Sequence, residues 1–111
     1  VRDYSHVVDL AEAHVAAARA LRSSPGRALT LNIGRGEGVS VREMIDHINA
    51  LTGYDRPPTV TPRRPGDPAR VVASADLAAT ELAWKAKHDV QDMITSAWEG
   101  WLRRYPGAAR D

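Results

Sequence analysis

The sequence predicts a mixed α/β domain of about four helices and a few short strands. Three observations carry that reading. Apolar residues recur at helical spacing, mostly behind capping residues, in four stretches. One stretch, residues 28–33, alternates apolar and polar side chains with β-branched content, and a glycine-rich loop follows it. A proline-rich middle, residues 57–68, separates the second and third helical stretches.

The first helix is expected over residues 8–22. Asp9 offers an N-cap carboxylate, with Glu12 three residues on. Leu10, Ala13, Ala17 and Leu21 share one face, and Ala11, Val15 and Ala18 fill the adjoining stripe. A helix apolar over more than one face is expected to pack against something larger than one sheet face. Ser23-Ser24-Pro25-Gly26 ends it with turn chemistry. Residues 28–33 then read as a strand, and Gly34-Arg35-Gly36-Glu37-Gly38 as a flexible loop. Ser40 and Glu43 form a capping box for a second helix, which Gly53 ends in the left-handed region. Thr59-Val60-Thr61 is expected as a short edge strand between prolines, and residues 63–68 as an ordered loop. Ser74 is expected to cap a short helix reaching Trp84. Asp89 is expected to cap the last helix, with Asp92 complementing its dipole. Val90, Met93, Ile94, Ala97, Trp98, Trp101 and Leu102 give that helix the clearest amphipathic pattern.

Composition bounds the function. The 111 residues fit one domain spanning 1–111, large enough for a core without staples. Cysteine is absent, which excludes disulfides, thiolate zinc sites and a cysteine nucleophile. Fifteen basic side chains stand against 14 acidic ones, a balance unlike that of a dedicated nucleic-acid binder. Apolar runs are far shorter than the roughly 20 residues a membrane span needs, and no signal-peptide pattern opens the chain. The chain begins at Val1 rather than Met, as a processed chain or a fragment would.

Several constellations of residues bear on chemistry. Gly34, Gly36 and Gly38 lie between a predicted strand and helix, the context of a phosphate cradle. The dinucleotide spacing asks for Gly at Val39 and a P-loop asks for Lys, so a tight strand-to-helix turn is the better reading. Asp3, His6 and Asp9 cluster in sequence, but no pair of histidines has metal-ligand spacing, and simple hydrogen bonding is favoured over a metal site. No serine lies in a nucleophile-elbow pattern. Arg63-Arg64-Pro65-Gly66-Asp67 stands out. Two guanidiniums on a stiffened loop suit a diphosphate, and Asp67 suits sugar hydroxyls. A surface turn with a local Arg–Asp pair remains an equal reading of the same residues.

The segments Val1–Ala11, Leu31–Val41, Pro62–Asp67 and Glu81–Trp84, in this order and spacing, resemble the C-terminal part of the UDP-glucose 4-epimerase family of extended short-chain dehydrogenase/reductases. The resemblance implies the C-terminal portion of that fold. It implies an NAD-dependent isomerase of nucleotide sugars that interconverts UDP-glucose and UDP-galactose through a 4-keto sugar. On that basis Arg64 contacts the UDP diphosphate and Asp67 the ribose. Val71, four residues further on, lies where a large aromatic would exclude N-acetylated sugars; otherwise it is a buried strand residue. The family's NAD loop and Tyr-x-x-x-Lys pair lie upstream of the matched region. Here Tyr4, Tyr54 and Tyr105 are followed at that spacing by Val8, Pro58 and Ala109. The expectation is therefore a substrate-side fragment with no catalytic, cofactor or metal residues of its own. It is expected to be inactive alone, cytoplasmic, and partnered by the missing Rossmann portion or by itself. A non-enzymatic nucleotide-sugar binding or interaction module is the alternative. Two departures from the family pattern are Ser5, often Ile or Val, and Ala83, usually Gly.

Overall fold

The computed structural model describes residues 1–109, in which four helices follow one another: α1 (Val7–Ser23), α2 (Val41–Thr52), α3 (Asp76–Leu82) and α4 (Val90–Arg104). A 3-10 turn, Pro106–Ala108, closes the described chain. Its Ala108 carbonyl accepts the Tyr54 hydroxyl at 2.8 Å, tying the end of α4 to the end of α2.

α1 begins one residue earlier than expected, and its cap is not Asp9. His6 is the N-cap, and its Nδ1 accepts the Val8 amide at 3.0 Å. Asp9 sits inside the first turn with its carboxylate turned inward. The expected box at Ser40 is half formed: Ser40 Oγ accepts the Glu43 amide. Gly53 ends α2 at φ 76°, as expected. Ser74 does not cap α3; Ala75 holds that position without a side-chain bond, and Ser74 Oγ donates to Asp76 instead. α4 carries a full reciprocal box, Asp89 with the Asp92 amide and Asp92 with the Asp89 amide.

The expected strands are not formed. Residues 28–33 and 59–61 take no regular secondary structure and bridge to no described segment. A strand needs a partner for its backbone groups, and alternation alone does not supply one. Bridging occurs elsewhere. Arg2 exchanges both amide bonds with Val39, at 3.0 and 2.8 Å, in antiparallel sense. On the other side the Val71 amide donates to the Val1 carbonyl at 3.0 Å, and Arg2 bridges Val71 in parallel. The first residues thus run between the segment entering α2 and the one leaving the proline-rich loop.

Two small apolar clusters form the core. Ala13, Ala78 and Trp84 join α1 to α3, with Ile33 and Leu82 against them. Val39, Val90 and Ile94 join the central bridge to α4, with Tyr4, Met44 and Leu51 alongside. Much apolar surface stays outside. Val7, Val15 and Leu21 on α1 and Trp101 on α4 are about half exposed or more. Total accessible surface is 8259 Å², against about 6000 Å² for a compact monomer of this mass. The radius of gyration is 17.5 Å, against about 13 Å for a compact domain of this length. The chain is a slab, 53 × 37 × 18 Å, and α1 has the extra apolar face its composition announced. No described helix is long and apolar enough to cross a membrane.

Candidate functional site

The proline-rich loop returns to the start of the chain, and this brings three charged side chains together. Asp67 Oδ2 accepts from Arg64 Nη2 at 3.2 Å, while Asp67 Oδ1 accepts from Arg2 Nη2 at 2.5 Å. Arg2 Nη1 also donates to the Pro68 carbonyl at 3.0 Å and the Val1 carbonyl at 2.8 Å. Arg2 is therefore anchored along the loop and orients Asp67. Arg64 is 84% exposed and holds Asp67 by a longer bond, so its guanidinium exchanges partners at little cost. The cluster has a surplus positive charge. The local Arg–Asp turn read from the sequence exists, and the sequence reading missed Arg2, which lies 65 residues from Asp67. Arg63 is exposed and makes no ion pair among the described residues. Val71 is 47% exposed, not buried, with its amide used in the bridge to Val1.

The glycine loop serves Asp3. One Asp3 oxygen accepts the Arg35 amide at 3.0 Å; the other accepts the Gly36 amide at 2.9 Å and the Ala73 amide at 3.3 Å. A Cβ at Gly34 would lie 2.5 Å from Asp3 Oδ2, which is why that position has no side chain. Gly36 adopts φ 77°. The amides that could cradle a phosphate are thus already occupied by a carboxylate from this chain, and the turn reading is the one realised.

The Asp3, His6 and Asp9 cluster is dispersed to three different tasks. Asp9 is fully buried, and one carboxylate oxygen accepts the Lys87 and His88 amides at 3.1 and 2.9 Å. The other meets His88 Nδ1 at 2.9 Å. The Asp9 carbonyl accepts Trp84 Nε1 at 3.0 Å. Burial pushes the Asp9 carboxyl up, but the bonds from His88 and Lys87 outweigh it and hold it below the usual carboxylate range. The bond to Asp9 raises the His88 imidazole above its ordinary value, against partial desolvation; the charges of Asp9, Asp92 and Glu12 add to the rise. His6 lies against His88 with ring centroids 4.4 Å apart. Its Nδ1 accepts the Val8 amide, which assigns the proton to Nε2, 2.9 Å from Ser96 Oγ. Ser96 donates onward to the Met93 carbonyl. One network therefore binds α1, the 84–89 segment and α4.

This layout, helices around a short central bridge with a charged loop beside it, defines a class. Its neighbours among solved structures place it as the C-terminal portion of an extended short-chain dehydrogenase/reductase fold. Within that class the chain is a relative of the UDP-glucose 4-epimerases. It is 41% identical over 107 residues to the UDP-glucose 4-epimerase of Halalkalibacterium halodurans, covering 96% of this chain and 31% of the relative. It is 45% identical over 103 residues to that of Azospirillum brasilense, covering 93% and 29%. The epimerase of Stenotrophomonas maltophila, with bound NAD and formylated UDP-arabinopyranose, superposes with a TM-score of 0.83 at 47% identity, over 96% of this chain and 31% of that one. The Bifidobacterium longum enzyme, in complex with NAD+ and UDP, gives 0.78 at 38% identity, over 96% and 31%. The chain thus spans about a third of the length of the relatives it matches. No family model matches it.

Proposed function

We propose that this chain forms part of the UDP-sugar site of a UDP-hexose 4-epimerase. The observation that carries the reading is the convergence of Arg2, Arg64 and Asp67 at one edge of the fold. In this reading Arg64 leaves Asp67 to grip the diphosphate. Arg2 holds Asp67 in place to accept hydrogen bonds from the ribose hydroxyls. Val71 borders the hexose. Bound NAD supplies the hydride chemistry of such enzymes. The residues here do not fit that cofactor, since Asp3 occupies the amides of the glycine loop and no Tyr-x-x-x-Lys pair is present. The Rossmann portion of the enzyme must supply both, and this chain alone is inactive and binds no NAD.

The broad exposed apolar face of α1 and the unpaired 28–33 segment support association with such a portion or with a second copy of this chain. A cytoplasmic location follows from the same reading. A non-enzymatic nucleotide-sugar module is the second reading, and one observation favours it: the charged cluster is complete on this chain without the catalytic pair. Two measurements test the proposal. Arg64→Ala in the complete enzyme is expected to weaken UDP binding by about 1.5–3 kcal/mol, with Arg64→Lys a partial rescue. Unchanged calorimetric affinity in both variants overturns the assignment. Turnover of UDP-galactose by this chain alone with added NAD overturns the division of labour.

A further inference from the structure

An apolar groove with a volume of about 940 Å³ runs between α2 and α4. Met44 and Ile45 of α2 and Met93, Ala97 and Trp98 of α4 line it. Three polar side chains in the lining bond within the chain: Thr52 Oγ1 donates to the Ile48 carbonyl at 2.8 Å, Asn49 Nδ2 to the Arg56 carbonyl at 3.1 Å, and the Tyr54 hydroxyl to the Ala108 carbonyl. Arg56 is the one charged residue in the lining among the described residues, and its guanidinium lies 5.5 Å from the centre of the Tyr54 ring. A small-molecule site needs convergent polar groups to orient its ligand, whereas a contiguous exposed apolar face with few charges is the mark of a protein interface.

The groove also carries its own projections. Trp101 of α4 is 53% exposed and Ile48 of α2 40%, and both belong to the lining. An uncovered indole therefore stands beside an uncovered hollow on one surface patch. A two-fold contact between identical chains requires that arrangement, because the same patch must supply both the inserted side chain and the pocket that takes it. Tryptophan is among the residues that most often anchor such contacts. The area suffices as well. A stable dimer buries about 800 Å² on each partner. The accessible surface of 8259 Å² exceeds that of a compact monomer by about 2000 Å². No residue of α1 lines the groove, so covering it leaves the exposed face of α1 for the upstream portion of the enzyme.

We propose that a second copy of this chain covers the α2–α4 groove, in a two-fold dimer in which Trp101 of each copy enters the groove of the other. Sedimentation velocity of this chain at micromolar concentrations is expected to show a dimer. Trp101→Ala is expected to weaken it at least tenfold, and Trp101→Glu to give a monomer of unchanged helix content by circular dichroism. Val15→Glu, on the exposed face of α1, is expected to leave the dimer intact. Mixed labelled and unlabelled chains provide a test that needs no variant: isotope-filtered NMR is expected to show contacts between copies from the Trp101 ring to the Met44 and Met93 methyls. A dimer unaffected by Trp101→Glu, one dissociated by Val15→Glu, or a dimer without those contacts between copies overturns the proposal. A monomer at every concentration overturns it too, and assigns the groove to another occupant. UDP enters neither measurement, so the result stands apart from the UDP-sugar reading.

Discussion

Replacing Asp9 tests whether its network is the joint between α1 and the rest of the chain. The carboxylate is fully buried and accepts two backbone amides and one imidazole, at 2.9–3.1 Å. Asp9→Ala removes all three acceptors at once and leaves the Lys87 and His88 amides facing a void. Each charge-assisted bond is worth about 1.5–3 kcal/mol, but bonds to one carboxylate do not add. Breaking a buried charged pair by deleting one partner typically costs about 3–5 kcal/mol, and that is the expected loss. Asp9→Asn keeps an oxygen for the two amides and loses the charge, so its cost is expected to be that of one charged bond, about 1.5–3 kcal/mol. Urea unfolding followed by tryptophan fluorescence reads both, because Trp84 Nε1 bonds the Asp9 carbonyl. The pH profile provides an independent check. The Asp9 value is lowered on folding, so its stabilisation is present above the unfolded value and disappears as pH falls through the folded one. The His88 value is raised, so its stabilisation is complete below its unfolded value and disappears as pH rises through the folded one. The pair therefore contributes most between about pH 4 and 6.5, the two reference values. Asp9→Asn should flatten both limbs. A midpoint for Asp9→Ala within error of the parent, or an unaltered pH profile for Asp9→Asn, refutes the reasoning.

Ala83 ends α3 at φ 52°, in the left-handed region. Relief of about 1–2 kcal/mol of backbone strain in Ala83→Gly is opposed by about 0.4–1 kcal/mol of added unfolded-state freedom. The variant is therefore expected to raise the thermal midpoint slightly, and a lowered midpoint counts against it. Gly34→Ala forces a Cβ to 2.5 Å from Asp3 Oδ2 and 2.7 Å from Ala73 Cβ, and is expected to cost about 1–3 kcal/mol in urea unfolding. Gly100→Ala, inside α4 with open space around it, is expected to gain about 0.5–1 kcal/mol in the same assay. In the complete enzyme, Val71→Tyr is expected to close off UDP-N-acetylglucosamine while sparing UDP-glucose, because the half-exposed Val71 leaves room for the ring without overpacking. Equal loss of both specificity constants shows Val71 to be structural.

What the sequence alone determined is local. Helix positions follow from 3.6-residue periodicity, and the α2 and α4 boundaries follow from Ser40, Gly53 and Asp89, each of which acts within four residues of itself. The Arg64–Asp67 pair was legible for the same reason, being three residues apart. So was the likeness to the epimerases, since it rests on the order of short segments. Long-range choices were not legible. Asp9 looked like a cap because cap propensity is judged from neighbours, yet partners 78 and 79 residues away drew its carboxylate inward and left the cap to His6. Residues 28–33 alternate like a strand, but alternation describes faces, and pairing depends on another backbone lying beside them. Arg2 gave no spacing signal, because only the bridges at Val39 and Val71 carry it to Asp67. Tertiary structure decided these positions because a buried carboxylate, a strand edge and a guanidinium each go where their hydrogen bonds can be completed, and those partners lie far along the chain.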